Sequence, residues 1–259
     1  MAVAIFFHMK TPQKPAIMRY PIDFIIACGI MQVRPEVFLQ RFVHEFHYSR
    51  LSGGKISTIE HGVSTIMYPH IAPHAERVFR TEKDKTLRML CKDRLNKVLN
   101  ATDINVSTKR MRAQVILRKY REAILGDRGQ VTQIGLPGGA VLQLNDSLIM
   151  LCFIYQLLPE RIIKDVIDNI SMARQFAKYG QGHQDKDYYM DVFYRITKGL
   201  FQRSEELGRT NYTAYDKMVP LLCDHMQGEP DREIRYSVFK THFRKWHHSL
   251  KHIQIKPIV

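Results

Sequence analysis

The chain has 259 residues, of which 45% are hydrophobic and 25% charged, proportions that are ordinary for a globular protein. This composition excludes disorder over most of the length and allows a substantial core. Lys and Arg number 39 against 25 Asp and Glu, which gives a net charge of +14. Such an excess indicates an anionic partner, and nucleic acid, an anionic membrane and an acidic protein are the usual ones.

The N-terminal part of the chain is predicted to contain one well-defined helix. Residues 18–30 are apolar enough to form either a strand or a short buried helix. Pro35 suits the first position of a helix, where its missing N–H is not needed, and predicts a helix over 35–48. Phenylalanines recur at every fourth residue from Phe38 and give this helix an apolar face. Residues 55–75 are expected to form a loop or irregular helix.

Two consecutive helices are predicted next along the chain. The first covers about residues 82–101 with Thr81 as its N-cap, and the second covers about 108–125. Ser107 is expected to cap the start of the second helix, and Gly126 is expected to end it. In both segments apolar residues recur at intervals of three and four, so each helix should pack one face inward.

A β-hairpin is predicted after these helices. Residues 130–136 and 140–144 are rich in apolar residues, and Pro137-Gly138-Gly139 supplies a tight turn between them. We expect the two strands to face each other through Val131, Ile134, Leu136, Val141, Leu142 and Leu144.

The rest of the chain is predicted to be helical. The expected helices cover about residues 146–158, 159–178, 185–207, 213–227 and 230–252. The fold class is therefore mainly α, a helical bundle with one β-hairpin after a helix-turn-helix. We expect three regions: an irregular or helical one over 1–80, one resembling a winged helix-turn-helix over 81–145, and a helical bundle over 146–259.

The order of helix, short turn, basic helix and hairpin resembles that of winged helix-turn-helix modules. In such modules the second helix lies in the major groove and the hairpin lies along the DNA backbone. Asn105 stands where a left-handed residue is tolerated. Asn100 and Gln114 depart from the pattern, because apolar residues are expected at their positions. The small or apolar residues that the motif requires around its turn are Ala101, Ile104, Val106 and Met111.

The excess positive charge is concentrated in this same region. Residues 76–128 hold fifteen Lys or Arg and seven Asp or Glu, whereas residues 146–209 hold nine of each. Arginines can read guanine edges and lysines can take phosphates, so we expect nucleic acid to bind here, with a merely solvated helix face as the alternative. The candidate stripe consists of Arg110, Gln114, Arg118 and Arg121. The cations that flank it are Lys109, Arg112 and Lys119.

A second candidate surface lies on the C-terminal helix, where no acidic residue follows Glu233. We expect its cations to hold phosphate, while contact with an anionic membrane or an acidic protein, or simple solvation, are the alternatives. Its basic residues are Lys240, Arg244, Lys245, His247 and Lys251. Its apolar stripe, which we expect to be buried, consists of Phe239, Phe243, Trp246 and Leu250.

No metal-binding or catalytic motif is readable in the sequence. Three histidine pairs have near-ligand spacing: His44 and His47, His70 and His74, and His248 and His252. The first pair lacks the four-residue spacing of H-E-x-x-H, Pro73 interrupts the second, and the third has no further ligand nearby. We therefore expect no metal or other cofactor and a non-enzymatic role, with an enzyme site assembled from distant residues as the weakest hypothesis.

The cysteines and the apolar segments predict a compartment. Cys28, Cys91, Cys152 and Cys223 form no C-x-x-C pair, and three of them have apolar neighbours. We expect reduced thiols in a reducing compartment, the cytoplasm. No segment approaches the ~20 apolar residues of a spanning helix, and no signal peptide is readable, so a soluble intracellular protein is expected.

Two main hypotheses of function follow from these patterns. The first is a non-enzymatic nucleic-acid-binding protein, with DNA favoured over RNA, that uses the helix near 108–125 and the C-terminal helix. The second is a helical interaction or scaffold protein without nucleic-acid contact. It would dock partners on the neutral region 146–209 and predicts a large exposed apolar patch there.

Overall fold

The computed structural model of the protein describes residues 18–46, 66, 82–125, 132–154, 157–179, 187–201, 210–226 and 228–250. The helices of these ranges are α1 (Ile22–Ile30), α2 (Pro35–Glu45), α3 (Glu82–Asn100), α4 (Val106–Leu125), α5 (Asp146–Ile154), α6 (Pro159–Asn169), α7 (Met172–Tyr179), α8 (Tyr188–Phe201), α9 (Thr210–His225) and α10 (Arg232–Leu250). An antiparallel hairpin of β1 (Gln133–Gly135) and β2 (Val141–Gln143) stands between α4 and α5. The predicted fold class, mainly helical with one hairpin, is confirmed.

Aromatic side chains hold the first two helices to α8. The rings of Phe24 in α1 and Phe38 in α2 are 5.8 Å apart, and Phe38 and Phe193 of α8 are 5.0 Å apart. All three side chains are fully buried. Tilted and edge-to-face pairs at such distances add to the stabilisation that burial of the rings provides. We call α1, α2, α6–α10 and the hairpin the body of the protein.

The C-terminal helix is fixed to α7 by a buried arginine. Arg235, only 2% exposed, donates from Nε and one terminal nitrogen to the carbonyl of Ala177, at 2.9 and 2.7 Å. Its other terminal nitrogen donates to the carbonyl of Glu229 at 2.5 Å. The guanidinium thus satisfies a carbonyl in the last turn of α7, which would otherwise lack a donor.

The hairpin is held by other parts of the body along both edges. The side-chain amide of Gln40 in α2 donates to the carbonyl of Gln143 at 3.1 Å and accepts from its N–H at 3.0 Å. On the opposite edge the N–H of Met18 donates to the carbonyl of Gly135 at 3.2 Å. Leu142 pairs with Ile134 and both are buried, whereas Val141 pairs with Gly135 and is 48% exposed, since neighbouring strand residues face opposite sides.

Asn145 joins α2 to α5. Its Oδ1 accepts from the N–H of Leu148 at 2.8 Å and so caps the start of α5. Its Nδ2 donates to the carbonyl of Val43, in the last turn of α2, at 2.5 Å and to that of Phe46, just after α2, at 2.8 Å. One side chain therefore satisfies backbone groups at the ends of two helices.

Helices α3 and α4, called the α3–α4 pair below, pack chiefly against each other, and α4 also packs against α5. Their inward residues are Cys91, Leu95, Leu99, Ala113, Leu117 and Tyr120. At the turn Lys109 donates from Nζ to the carbonyl of Leu99 at 2.8 Å. Further along the pair, the guanidinium of Arg94 lies 5.6 Å from the centre of the Tyr120 ring.

The structure corrects several local predictions. Helix α4 begins at Val106, and its cap is Asn105, whose Oδ1 accepts from the N–H of Thr108 at 2.8 Å; Ser107 is not the cap. Asn105 does not have a left-handed backbone. The single helix expected over 159–178 is two helices, because Ser171 begins α7 by accepting from the N–H of Arg174 at 3.2 Å. The cap predicted at Thr81 lies outside the described residues.

Candidate nucleic-acid interface

The outer face of α4 is the side of the helix opposite its buried side chains. Ala113, Leu117 and Tyr120 pack inward, and at about 100° per residue the opposite side of the helix carries Met111 and Val115. These two side chains are 61% and 63% exposed. The centre of the exposed face is therefore apolar, and the predicted stripe of Arg110, Gln114, Arg118 and Arg121 is displaced to one side of it.

Cations stand on both sides of this apolar centre. Arg112 and Lys119, seven residues apart, occupy one flank of the helix, and Arg118 occupies the other. All three are exposed. They form no ion pair with any residue that the structure describes. Their charges are therefore free to meet an external anion.

The remaining predicted residues of α4 are placed differently. Lys109 is occupied with the carbonyl of Leu99 and closes the turn between the two helices. Arg110 is half-buried and has an interaction within the protein. Its side chain is therefore not freely available to contact bases in a DNA groove. Arg121 belongs to α4, but its side chain lies outside the described part of the chain.

A cleft of 220 Å³ opens beside α4. It is lined by His44 of α2, by residues of α4, and by the start of α5. The α4 residues of its lining are Gln114, Leu117 and Arg118, and the others are Asn145, Asp146 and Ser147. Gln114 and Arg118 are exposed, so the predicted stripe does reach solvent at this cleft.

The C-terminal helix α10 buries a different stripe from the predicted one. Phe239 and Phe243 are buried, as expected, but the same face continues to His247, which is only 9% exposed. The imidazole lies against Gly29 of α1, where a Cβ atom would be 3.4 Å from Nδ1. Trp246 is only partly buried. The prediction that His247 belongs to an exposed basic surface was wrong, since residues four apart share one side of a helix.

Lys240 takes part in a polar network inside the body. Its Nζ donates to the hydroxyl of Tyr236 at 3.1 Å and lies 4.9 Å from the centre of that ring. The hydroxyls of Tyr236 and Ser171 both donate to Oδ2 of Asp23, each at 2.9 Å. This network links α1, the start of α7 and α10, so Lys240 stabilises the packing of the body.

Two of the remaining cations predicted on the C-terminal helix are exposed. Arg244 and Lys245 are exposed, while Lys251 lies outside the described residues. Helix α10 packs mainly on α7 and α1, whereas α4 packs mainly on α3 and α5. The two sets of cations therefore lie on helices with different packing partners.

Ion pairs are found elsewhere in the described part of the chain. They join Arg34 to Glu36, Arg41 to Glu45, Lys164 to Asp168, Lys178 to Asp187 and Arg195 to Asp191. All of these belong to α2, α6, α7, α8 or the segments next to them. None of these five pairs includes a residue of α4, although exposed cations outside these pairs also occur in the body, at Arg161, Lys198 and Lys217.

Exposed apolar side chains are also concentrated on the α3–α4 pair. Of the ten large hydrophobic residues that are exposed among the described residues, five lie in these two helices: Met89, Leu90, Val106, Met111 and Val115. The region 146–209 has only Leu158 and Tyr188. The apolar patch expected there by the scaffold hypothesis is not seen among the residues described.

The thiols of the described residues are poor nucleophiles. Cys28, Cys91, Cys152 and Cys223 are all free, and the first three are buried. Burial raises the pKa of the Cys91 thiol to about 12 and also raises the pKa of the other three thiols. They remain protonated at neutral pH, where the reactive form of a cysteine is the thiolate.

The described ranges of the chain contain no group of three or more His, Cys, Asp or Glu side chains placed to hold a metal ion. Of the histidines with near-ligand spacing in the sequence, His47, His70, His74 and His252 lie outside these ranges. None of the described helices is long and apolar enough to cross a membrane.

Sequence reasoning missed Arg235, the double role of Asn145, and the lining of the cleft. For Arg235 a signal existed, because it precedes Phe239 and Phe243 at intervals of four and so shares their buried face. For the cleft no local signal existed, since His44, Arg118 and Ser147 come from three distant segments.

No protein-family model, no curated protein and no solved structure matches the chain.

Proposed function

We propose that the protein is a non-enzymatic nucleic-acid-binding protein whose contact surface is the outer face of α4. The observation that carries the proposal is the set of exposed cations at Arg112, Arg118 and Lys119, which have no ion-pair partner among the described residues. Phosphate groups of a nucleic acid supply the missing negative charge, and release of counterions favours their binding.

The apolar centre of this face fits the same proposal. Met111 and Val115 lie between the cationic flanks, where they can contact thymine methyl groups or base faces while the flanks hold phosphates. An α-helix fits the major groove of DNA, so we favour duplex DNA over RNA. The hairpin, held along both edges by the body, takes no part through its strands.

Arg244 and Lys245 of α10 form a second, smaller contact area in this proposal. They are exposed and reach anions by charge alone, without a defined pocket. His247 and Lys240 are omitted because the body uses both. The buried, protonated thiols fit a reducing, cytoplasmic compartment.

A salt titration tests the proposal directly. Binding to duplex DNA, single-stranded DNA and RNA is measured by fluorescence anisotropy over a range of salt concentrations. The slope of log K against log salt reports the number of phosphates neutralised. In a triple variant, Arg112→Gln with Arg118→Gln and Lys119→Gln, the slope should be shallower by roughly 2.7 for duplex DNA, which is about 0.9 for each lost contact.

A matched variant separates the face of α4 from net charge. Arg161, Lys198 and Lys217 are exposed cations of α6, α8 and α9, and changing all three to Gln removes the same charge. This control should keep most of the affinity and the slope. Equal losses in the two triple variants, or no binding by the native chain at low salt, would contradict the proposal.

A second candidate function is supported by the exposed Met111 and Val115 themselves. An apolar strip on an exposed helix can also receive an amphipathic helix of a protein partner. The double variant Met111→Gln with Val115→Gln should then abolish docking and leave the salt slope for DNA unchanged. Loss of DNA affinity without a change of slope would instead assign the strip to base contact.

A further inference from the structure

A nearly buried serine lines the cleft beside α4. Ser147 is 7% exposed and lines this cleft. Its Oγ makes no hydrogen bond to any described residue, so this hydroxyl is available to a molecule in the cleft. The cleft, at 220 Å³, has room for about seven waters or for a small polar ligand.

The backbone at the same place also offers a donor. Ser147 is the second residue of α5, whose first N–H groups have no acceptors inside the helix. Asn145 takes the N–H groups of Leu148 and Ile149 through its Oδ1 and its carbonyl. The N–H of Ser147 has no such acceptor in the described part of the chain. The hydroxyl and the amide of one residue therefore stand at the positive end of a helix.

Side chains from two other helices complete the lining with further donors. Arg118 is exposed and without an ion pair among the described residues, and Gln114 contributes an amide. His44 lies across the cleft on α2. Asp146 is the acidic member of the lining, and it already has an interaction within the protein. A guanidinium, a hydroxyl, an amide N–H and a helix N-terminus together are the usual donors to phosphate.

We propose that this cleft binds a phosphate group, with Ser147 and Arg118 as its principal donors. The inference rests on the proposed function only for the origin of the phosphate. Because Arg118 also belongs to the outer face of α4, a strand lying on that face would place a backbone or terminal phosphate at the mouth of the cleft. A free nucleotide presents the same chemistry.

Titration with inorganic phosphate, followed by NMR of the full-length protein, tests the cleft by itself. Saturable shifts are expected at the backbone amides of Asp146 and Ser147 and at the side-chain signals of Gln114 and Arg118. Sulfate should compete, since it offers the same tetrahedral oxygens. Absence of saturable shifts at these signals in the millimolar range would overturn the inference.

Variants of the lining residues should change the affinity for phosphate in opposite directions. Ser147→Ala removes a charge-assisted hydrogen bond and should weaken phosphate binding about tenfold. Gln114→Glu at an exposed position adds a repelling charge without disturbing the core and should weaken it at least as much. Asp146→Asn removes a repelling charge and should strengthen binding several-fold. Arg161→Gln, at an exposed cation of α6 outside the lining, is the control and should leave phosphate binding unchanged. Unchanged affinity in both Ser147→Ala and Gln114→Glu would refute the assignment.

Oligonucleotides distinguish the origin of the phosphate and separate this inference from the proposed function. Single strands with a 5′-phosphate, matched strands with a 5′-hydroxyl, and a nucleoside monophosphate are compared in the native protein and in Ser147→Ala. Preference for the 5′-phosphate that disappears in Ser147→Ala assigns the cleft to strand ends. Equal binding of both strands, weakened equally by Ser147→Ala, assigns it to backbone phosphates. Phosphate shifts without oligonucleotide binding support the cleft and contradict the proposed function, and oligonucleotide binding unaffected by Ser147→Ala contradicts the cleft.

Discussion

The body and the α3–α4 pair use similar amino acids in different ways. In the body, Phe24, Phe38 and Phe193 pack edge-to-face or tilted in one aromatic cluster, and charges such as Arg235 are satisfied internally. In the pair, two long helices bury chiefly each other's aliphatic side chains and expose Met111 and Val115. From this difference we expect the body to be the more stable region and the α3–α4 pair to open more readily.

The largest effect that can test this comparison is expected from alkaline pH. Burial raises the pKa of the Cys91 thiol to about 12 and raises the pKa of the Cys28 and Cys152 thiols. In the unfolded chain these thiols lose their protons near pH 9, while the folded chain retains them. The free energy of unfolding therefore falls as pH rises above about 9, by up to ~1.4 kcal/mol per pH unit for each thiol.

Urea unfolding across this pH range measures the loss. A Cys91→Ala variant should lose about one third of the pH dependence, because two of the three buried thiols remain. A stability that stays flat between neutral pH and about pH 11 would show that these thiols are not buried as described.

Truncating the aromatic core should produce the next largest effect. Phe38→Ala leaves a cavity between α1, α2 and α8 and should lower the free energy of unfolding by about 3–5 kcal/mol. Leu95→Ala, in the centre of the α3–α4 pair, should cost less globally and should increase hydrogen exchange mainly in α3 and α4. Equal global losses would mean that the pair and the body unfold as one unit.

Removing the buried guanidinium tests the contribution of hydrogen bonds inside the body to stability. Arg235→Met leaves the carbonyls of Ala177 and Glu229 without donors and should cost about 2–3 kcal/mol by urea unfolding. The neighbouring exposed Arg232 is the matched control, and Arg232→Met should change stability by less than about 0.5 kcal/mol. A neutral Arg235→Met would show that water replaces the guanidinium.

Thiol labelling measures the difference in opening between the two regions. Cys223 is half-buried and should react first with an alkylating reagent under native conditions. Cys91 lies in the α3–α4 pair and should react next, while Cys28 in the body and Cys152 in α5 should react last. Mass spectrometry of peptides gives each rate. Labelling of Cys28 before Cys91 would reverse the proposed order of stability.

The smallest effect is expected on the outer face of α4. Met111→Gln and Val115→Gln remove apolar groups that are 61% and 63% exposed, and glutamine is a good helix former. Each change should alter the free energy of unfolding by less than about 0.5 kcal/mol in urea. A larger loss would show that these residues support the fold and would weaken any binding role.

Much of the fold could be predicted because it depends on local patterns. The period of four from Phe38 to Phe46 and the Pro-Gly-Gly turn define α2 and the hairpin within a short stretch of chain. The break before α7 was missed, since Ser171 acts as a cap only when the preceding helix ends there. The candidate binding residues were chosen by residue type and spacing, but their orientation depends on which side of a helix packs. Thus Arg112, Arg118 and Lys119 are exposed, whereas Lys109 and His247 are used internally.

The two occupied edges of the hairpin have a consequence for how the protein behaves at high concentration. An open strand edge can recruit the same strand of another molecule and start an ordered aggregate. Here the amide of Gln40 makes the two hydrogen bonds that an incoming strand would make with Gln143, and Met18 occupies the other edge at Gly135. The two-stranded sheet is thereby blocked at Gln143 and at Gly135. On the β2 edge the blocking group is the side chain of Gln40.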